Sequence, residues 1–245
     1  MKRLLARGYP DIFQIGKAFR QEESGRRHNP EFTLIEWYRH GFSLQRMMGE
    51  AFEVCRLVAG ARSLVSLSYQ EAFLKATGLD PFTAPREKLT SHPAIAAQGL
   101  TSSDFPETSD VLNFLMSEVV EPSLDPAIFT LVHGFPRMLS SQALVDSENP
   151  ETSLRFEIFG GGMELGNGYE ELLKAEEYRE RFETENRKRR EAGKPVPRLD
   201  DRWFNDVAPA LPQCSGVALG FDRLIQLGMR AGSLDAVLEF PWKES

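Results

Sequence analysis

From residue 11 to 22 the chain alternates. Phe13, Ile15 and Phe19 fall on one side, and Gln14, Gly16, Ala18, Arg20 and Glu22 on the other. That is the period-2 signature of a half-buried strand. After a polar loop at 23–30, residues 31–39 form a second strand, and the two can pair as an antiparallel hairpin. The period then lengthens. Residues 43–60 carry Leu44, Met47, Met48, Ala51, Phe52 and Cys55 at helical spacing and end at a Gly suited to a cap. A short helix is predicted over 68–78, followed by irregular sequence to Thr101. A further helix is predicted over 109–120, with Leu112, Leu115, Met116 and Val119 as its inner stripe. Strands follow at 127–133, 154–159 and 163–171, then a charged helix at about 175–192, a strand at 216–220 and a last helix from Asp222. The opening MKRLLARG reads as the tail of a helix ending at Gly8.

Strands from both ends of the chain bracket the helices. The expectation is therefore one α+β domain over residues 1–245, built on an antiparallel sheet flanked by helices. With 245 residues there is enough chain for one large core. A net charge of −7 weighs against a broad nucleic-acid-binding face. Cys55 and Cys214 lack metal-ligand spacing and fit a reducing cytoplasm. No apolar run is long enough to span a membrane.

Three stretches carry candidate chemistry. In FTLIEWY, alternation puts Phe32, Leu34, Glu36 and Tyr38 on one face, and a carboxylate among apolar residues calls for a positive partner. SGRRHN, just before it, supplies two arginines and a histidine suited to a polyphosphate; a salt-bridged edge hairpin is the plainer alternative. In RFEIFGGGMELGNGYEEL, a two-residue turn at Gly160–Gly161 would set Glu157 opposite Glu164. Two facing carboxylates repel unless a cation such as Mg2+ bridges them. A three-residue turn would part them. Asn167, Tyr169 and Glu171 share a parity that Glu164 lacks, and a bulge at 166–168 could reconcile the four. In SGVALGFDRLIQLG, Gly216, Ala218 and Gly220 leave one strand face bare for a flat ligand, and Arg223 opens a helix where an Arg opposes the dipole. Close helix–strand packing with a surface Arg explains the same pattern.

Together these stretches resemble the class II aminoacyl-tRNA synthetases in their lysyl form. FR-x-E with RHNPEFTLIEWY resembles motif 2, GVALGFDRL resembles motif 3, and RFEIF with ELGNGYEEL resembles the lysine- and metal-binding segment. MKRLL, LSYQEAFL, RFETENRKRR and PQCSGVALG resemble in particular the short paralogs that attach (R)-β-lysine to elongation factor P. The resemblance implies adenylation of a lysine-type amino acid by ATP and transfer to a lysine side chain of elongation factor P. Arg20 would hold the α-phosphate, Glu22 would sit near the adenine, and Phe32 and Arg223 would sandwich it. Arg27 and His28 would contact the outer phosphates. Glu157 and Glu164 would hold Mg2+. Glu36, Tyr38 and Glu171 would surround the substrate's side-chain ammonium, with Asn167 and Tyr169 beside them.

Ala218 stands where lysyl-tRNA synthetases usually have Gly, and the ligase paralogs resemble this chain there. No segment is left for an anticodon-binding domain, so tRNA is not the expected acceptor. A lysyl-tRNA synthetase catalytic domain acting on α-lysine and a non-catalytic binding paralog are the other readings. Met1 aligns inside a helix of the family, so motif 1, which builds the family's homodimer interface, is expected to be missing. Leu173–Lys174 replaces a Thr-Asp or Asn-Asp pair, which removes a helix cap.

Overall fold

The computed structural model describes residues 1–20 and 29–242. The predicted site residues Glu22, Arg27 and His28 lie outside them. Among the described residues, seven strands form one sheet: β1 (Ile12–Phe19), β2 (Glu31–His40), β3 (Leu64–Ser68), β4 (Phe129–Pro136), β5 (Thr152–Gly160), β6 (Met163–Glu170) and β7 (Cys214–Gly220). Their spatial order is β1-β2-β7-β6-β5-β4-β3. All neighbours are antiparallel except β3 and β4, which run parallel. The sheet is thus mixed, and β3 is an element the pattern did not predict.

Among the described residues, nine α-helical segments accompany it: α1 (Lys2–Leu5), α2 (Leu44–Ala59), α3 (Tyr69–Thr77), α4 (Arg86–Thr90), α5 (Pro93–Ala97), α6 (Thr108–Leu115), α7 (Glu121–Ser123), α8 (Ala175–Glu191) and α9 (Phe221–Met229). Helix α2 forms as its spacing predicts. Ser43 caps its start and Gly60, at φ +70°, ends it in the left-handed region that favours glycine. The stretch expected to be irregular before Thr101 instead holds α4 and α5. Five-residue helices are too short to show a period. Helix α6 runs into a π-helical turn at Met116–Val120. That turn shifts the phase, so Val120 is buried and Val119 only partly packed.

One face of the sheet carries Trp37, Phe156, Ile158, Leu165, Val217 and Leu219, sealed by α2 and Leu224 of α9. Among the described residues, the opposite face is covered at its two ends. Around β4, Tyr69 and Phe73 of α3 and Leu112 and Leu115 of α6 pack on Val132, Phe135 and Phe159. At the other end, Leu172, Tyr178 of α8, Phe204 and Ala208 form a separate cluster. Between them no described residue covers the face, and the predicted site residues of β2, β5, β6 and β7 lie there. Edge strand β1 leaves Phe13, Ile15 and Phe19 exposed on the sealed side.

Candidate active site

Strand registry assembles the site. Glu36 pairs with Ala218, Ala218 with Asn167, and Asn167 with Glu157. The four form one row across β2, β7, β6 and β5. Because registered residues project to the same face, residues far apart in sequence share a floor. The next row holds Tyr38, Gly216, Tyr169 and Arg155.

The expected register of the β5–β6 hairpin is corrected. The turn residues are Gly161 and Gly162, both at positive φ (+62° and +75°), and Gly160 pairs with Met163. Two consecutive positive φ angles match the twist of a hairpin and are cheap only for residues such as Gly. Glu157 therefore faces Asn167, and Glu164 faces Phe159. A register shift between Ile158 and Phe159 inserts Leu165 as the extra residue, just before the predicted bulge at 166–168. It returns Glu164 to the face of Asn167, whose Nδ2 donates to Glu164 Oε1 at 3.4 Å. The glutamates do become neighbours, by a bulge rather than by direct pairing.

A cavity of about 240 Å3 sits over this row. Arg20, Phe32, Glu157, Glu164, Asn167 and Arg223 line it, along with Ala218 and Gly220. The Arg20 guanidinium lies 5.3 Å from the Phe32 ring centre, a cation–π arrangement. Arg223 donates to the Glu164 carbonyl. Asp222 accepts from the Thr33 amide at 2.6 Å, tying the start of α9 to β2. Burial pushes Glu157 up to about 7, reinforced by the Glu164 and Glu121 carboxylates and opposed by the Arg155 guanidinium paired with it. Among the described residues no group of three or more His, Cys, Asp or Glu forms a metal cluster.

A second cavity, about 430 Å3, adjoins at the Glu36–Ala218 pair and is lined by Glu36, Tyr38, Gln14, Lys2, Gln142 and Trp203. The Tyr38 ring lies flat on Gly216, where a Cβ would meet its Cε1 at 2.4 Å. The bare strand face thus receives the protein's own Tyr38 at Gly216. At Gly220 the nearest atom a Cβ would meet is 3.5 Å away, and that position stays open. Burial holds the Tyr38 hydroxyl well above its ordinary value, and the nearby Glu171 and Glu36 carboxylates raise it further.

Glu171 is 2% exposed, and its Oε2 accepts from Lys2 Nζ at 2.7 Å. Burial raises its pKa, and the Lys2 ammonium opposes that rise. Tyr169 sits beside Gly216 and Arg155 in the second row and is not among the residues lining either cavity. Lys174 precedes helix α8 at the cap position and makes no side-chain cap, as the Leu173–Lys174 departure implies.

Residues 1–244 match the class II tRNA synthetases (D, K and N). The chain belongs to this family. It is 41% identical to the elongation factor P–(R)-β-lysine ligase of Proteus mirabilis over 98% of its own length and 74% of that protein. A ligase of the same name from Photorhabdus laumondii is also 41% identical, and one from Haemophilus influenzae 39%, each with the same coverage. The family's ATP-dependent chemistry fits the first cavity, where arginines and acidic oxygens face a pocket with an aromatic wall.

Four participating residues went unpredicted. Arg155 and Glu157 share a strand face by simple alternation, so their pairing was readable. Lys2, Gln142 and Trp203 come from distant segments, and no local signal announces them.

Proposed function

We propose that this chain activates a lysine-type amino acid, (R)-β-lysine, with ATP and transfers it to a lysine side chain of elongation factor P. The observation that carries the reading is the row Glu36–Ala218–Asn167–Glu157. It joins a cavity suited to ATP to one suited to a side-chain ammonium. The names of the relatives supply the acceptor and the substrate isomer.

In this reading the substrate carboxylate attacks the α-phosphorus of ATP, the bond to the β-phosphate oxygen breaks, and pyrophosphate leaves. Arg20 stabilises the charge that builds on the α-phosphate. Phe32 and Arg223 flank the adenine. The acceptor amine, as its free base, then attacks the acyl carbon. An amide forms, AMP departs, and the amine's proton passes to solvent. The protein contributes positioning and electrostatics and needs no nucleophile of its own.

Glu164 and Glu157 suit Mg2+, a hard ion that takes oxygen ligands and completes its shell with phosphate and water. The ion would neutralise phosphate charge. Glu157 would have to ionise and share its carboxylate with Arg155.

ATP–pyrophosphate exchange with (R)-β-lysine and α-lysine in parallel tests it. Exchange favouring (R)-β-lysine supports the proposal. Preference for α-lysine returns the tRNA synthetase reading. Absence of exchange with both, from folded protein, rejects adenylation of lysine.

A further inference from the structure

The segment after α9 turns back to the first cavity. Arg230, at φ +54°, ends the helix in the left-handed region, and a short helical turn follows at Asp235–Val237. Leu234 is buried and joins the wall of the cavity. Pro241 is buried, and the Trp242 backbone amide donates to Asn29 Oδ1 at 3.0 Å. Asn29 lines the same cavity and is 7% exposed. Its Nδ2 donates to the carbonyl of Glu31, the first residue of β2. Between them, the Pro30 carbonyl accepts from the Arg20 amide at 2.9 Å. Phe32 is therefore bracketed. On one side Glu31 is tied through Asn29 to Trp242, and on the other Thr33 is tied to Asp222 at the start of α9.

Resting on the nucleotide site proposed above, we infer that Asn29 and the Trp242 amide form a latch, by which the segment after α9 holds Phe32 and Arg20 in position for ATP. Both are positioning residues and act through the strand they hold. The reason lies in burial. A side-chain oxygen taken out of water must keep a donor, and leaving it without one costs more than an ordinary hydrogen bond gains. Released from Trp242, Asn29 must turn its oxygen back to water. That movement carries away the Nδ2 that holds β2 at Glu31. The Trp242 ring takes no part, since the residue is 57% exposed. The donor is a backbone group, so the latch depends on residue 242 having an amide hydrogen and not on its side chain.

Two measurements test this. Proline has no amide hydrogen. Trp242→Pro therefore removes the donor, whereas Trp242→Ala removes only the exposed ring. Calorimetric titration with a non-hydrolysable ATP analogue should show affinity about 5-fold weaker in Trp242→Pro and within about 2-fold of wild type in Trp242→Ala. In pyrophosphate exchange the ATP KM should rise by the same factor and the lysine KM should stay. Asn29→Ala should weaken the analogue at least as much. Adding Trp242→Pro to it should change nothing further, because the two act through one contact. Full affinity in Trp242→Pro, equal losses in the two Trp242 variants, or additive losses with Asn29→Ala each overturn the latch. If Asn29→Ala does not fold, the two Trp242 variants decide.

The second measurement needs no nucleotide. Amide hydrogen exchange over residues 29–34 should be faster in Trp242→Pro than in Trp242→Ala. Equal exchange in the two overturns the latch. Failure of the wild type to bind the analogue would defeat the nucleotide site itself, while hydrogen exchange would still judge the latch.

Discussion

Ala218 is the register partner of Glu36 across the β2–β7 ladder, and on its other side it pairs with Asn167. One methyl group therefore stands between the carboxylate of one strand and the amide of another. It also marks the point where the two cavities adjoin. Removing it should let the substrate's amino group approach β7 more closely. Ala218→Gly is expected to shift the ratio of kcat/KM for (R)-β-lysine over α-lysine towards α-lysine by several-fold, as loss of one methyl in a pocket allows. An unchanged ratio in pyrophosphate exchange would remove Ala218 from the account of specificity.

Gly216 supports the ring of Tyr38, and a Cβ there would meet Tyr38 Cε1 at 2.4 Å. Gly216→Ala must push the ring into the second cavity or bend β7. The expected cost is about 1–3 kcal/mol of stability, the usual penalty for overpacking. A higher lysine KM with an unaltered ATP KM should accompany it. Denaturant unfolding and exchange kinetics read the two effects separately.

Gly220 makes the opposite case. A Cβ there meets nothing closer than 3.5 Å and lies at the wall of the first cavity. Gly220→Ala should leave unfolding almost unchanged and weaken ATP binding. Calorimetric titration with a non-hydrolysable ATP analogue would check this, and full affinity in the variant would exclude Gly220 from the nucleotide site.

Glu157 is held up at about 7 by burial, with Glu164 and Glu121 adding to the rise. Its folded value lies above the ordinary carboxylate value of 4.5. The stabilisation it contributes is therefore complete below about 4.5 and is lost as pH rises through about 7. Unfolding free energies of wild type and Glu157→Gln should converge at low pH, and only the wild type should lose this contribution on the way to pH 8. Mg2+ binding, which requires the ionised carboxylate, should strengthen over the same interval. A pH-independent Mg2+ affinity between 6 and 8 would contradict the role given to Glu157.

Alternation and helical spacing are local properties, so the sequence alone determined much of this protein. Strands β1 and β2 follow from their period, and helix α2 from its spacing and its caps at Ser43 and Gly60. So does the shared face of Phe32, Leu34, Glu36 and Tyr38. Motif resemblance then led to the family. The five-residue β3 and helices α4 and α5 were not legible, because so short a segment takes its conformation from its neighbours. Three consecutive glycines, Gly160–Gly162, fit more than one turn, and only the packed sheet selected the register that separates Glu157 from Glu164 and restores their proximity through Leu165. Tertiary structure alone decided the pairing of Lys2 with Glu171. Opposite charges distant in sequence carry no pattern that names their partner. They find each other only when folding removes both from water and leaves each as the other's counter-ion.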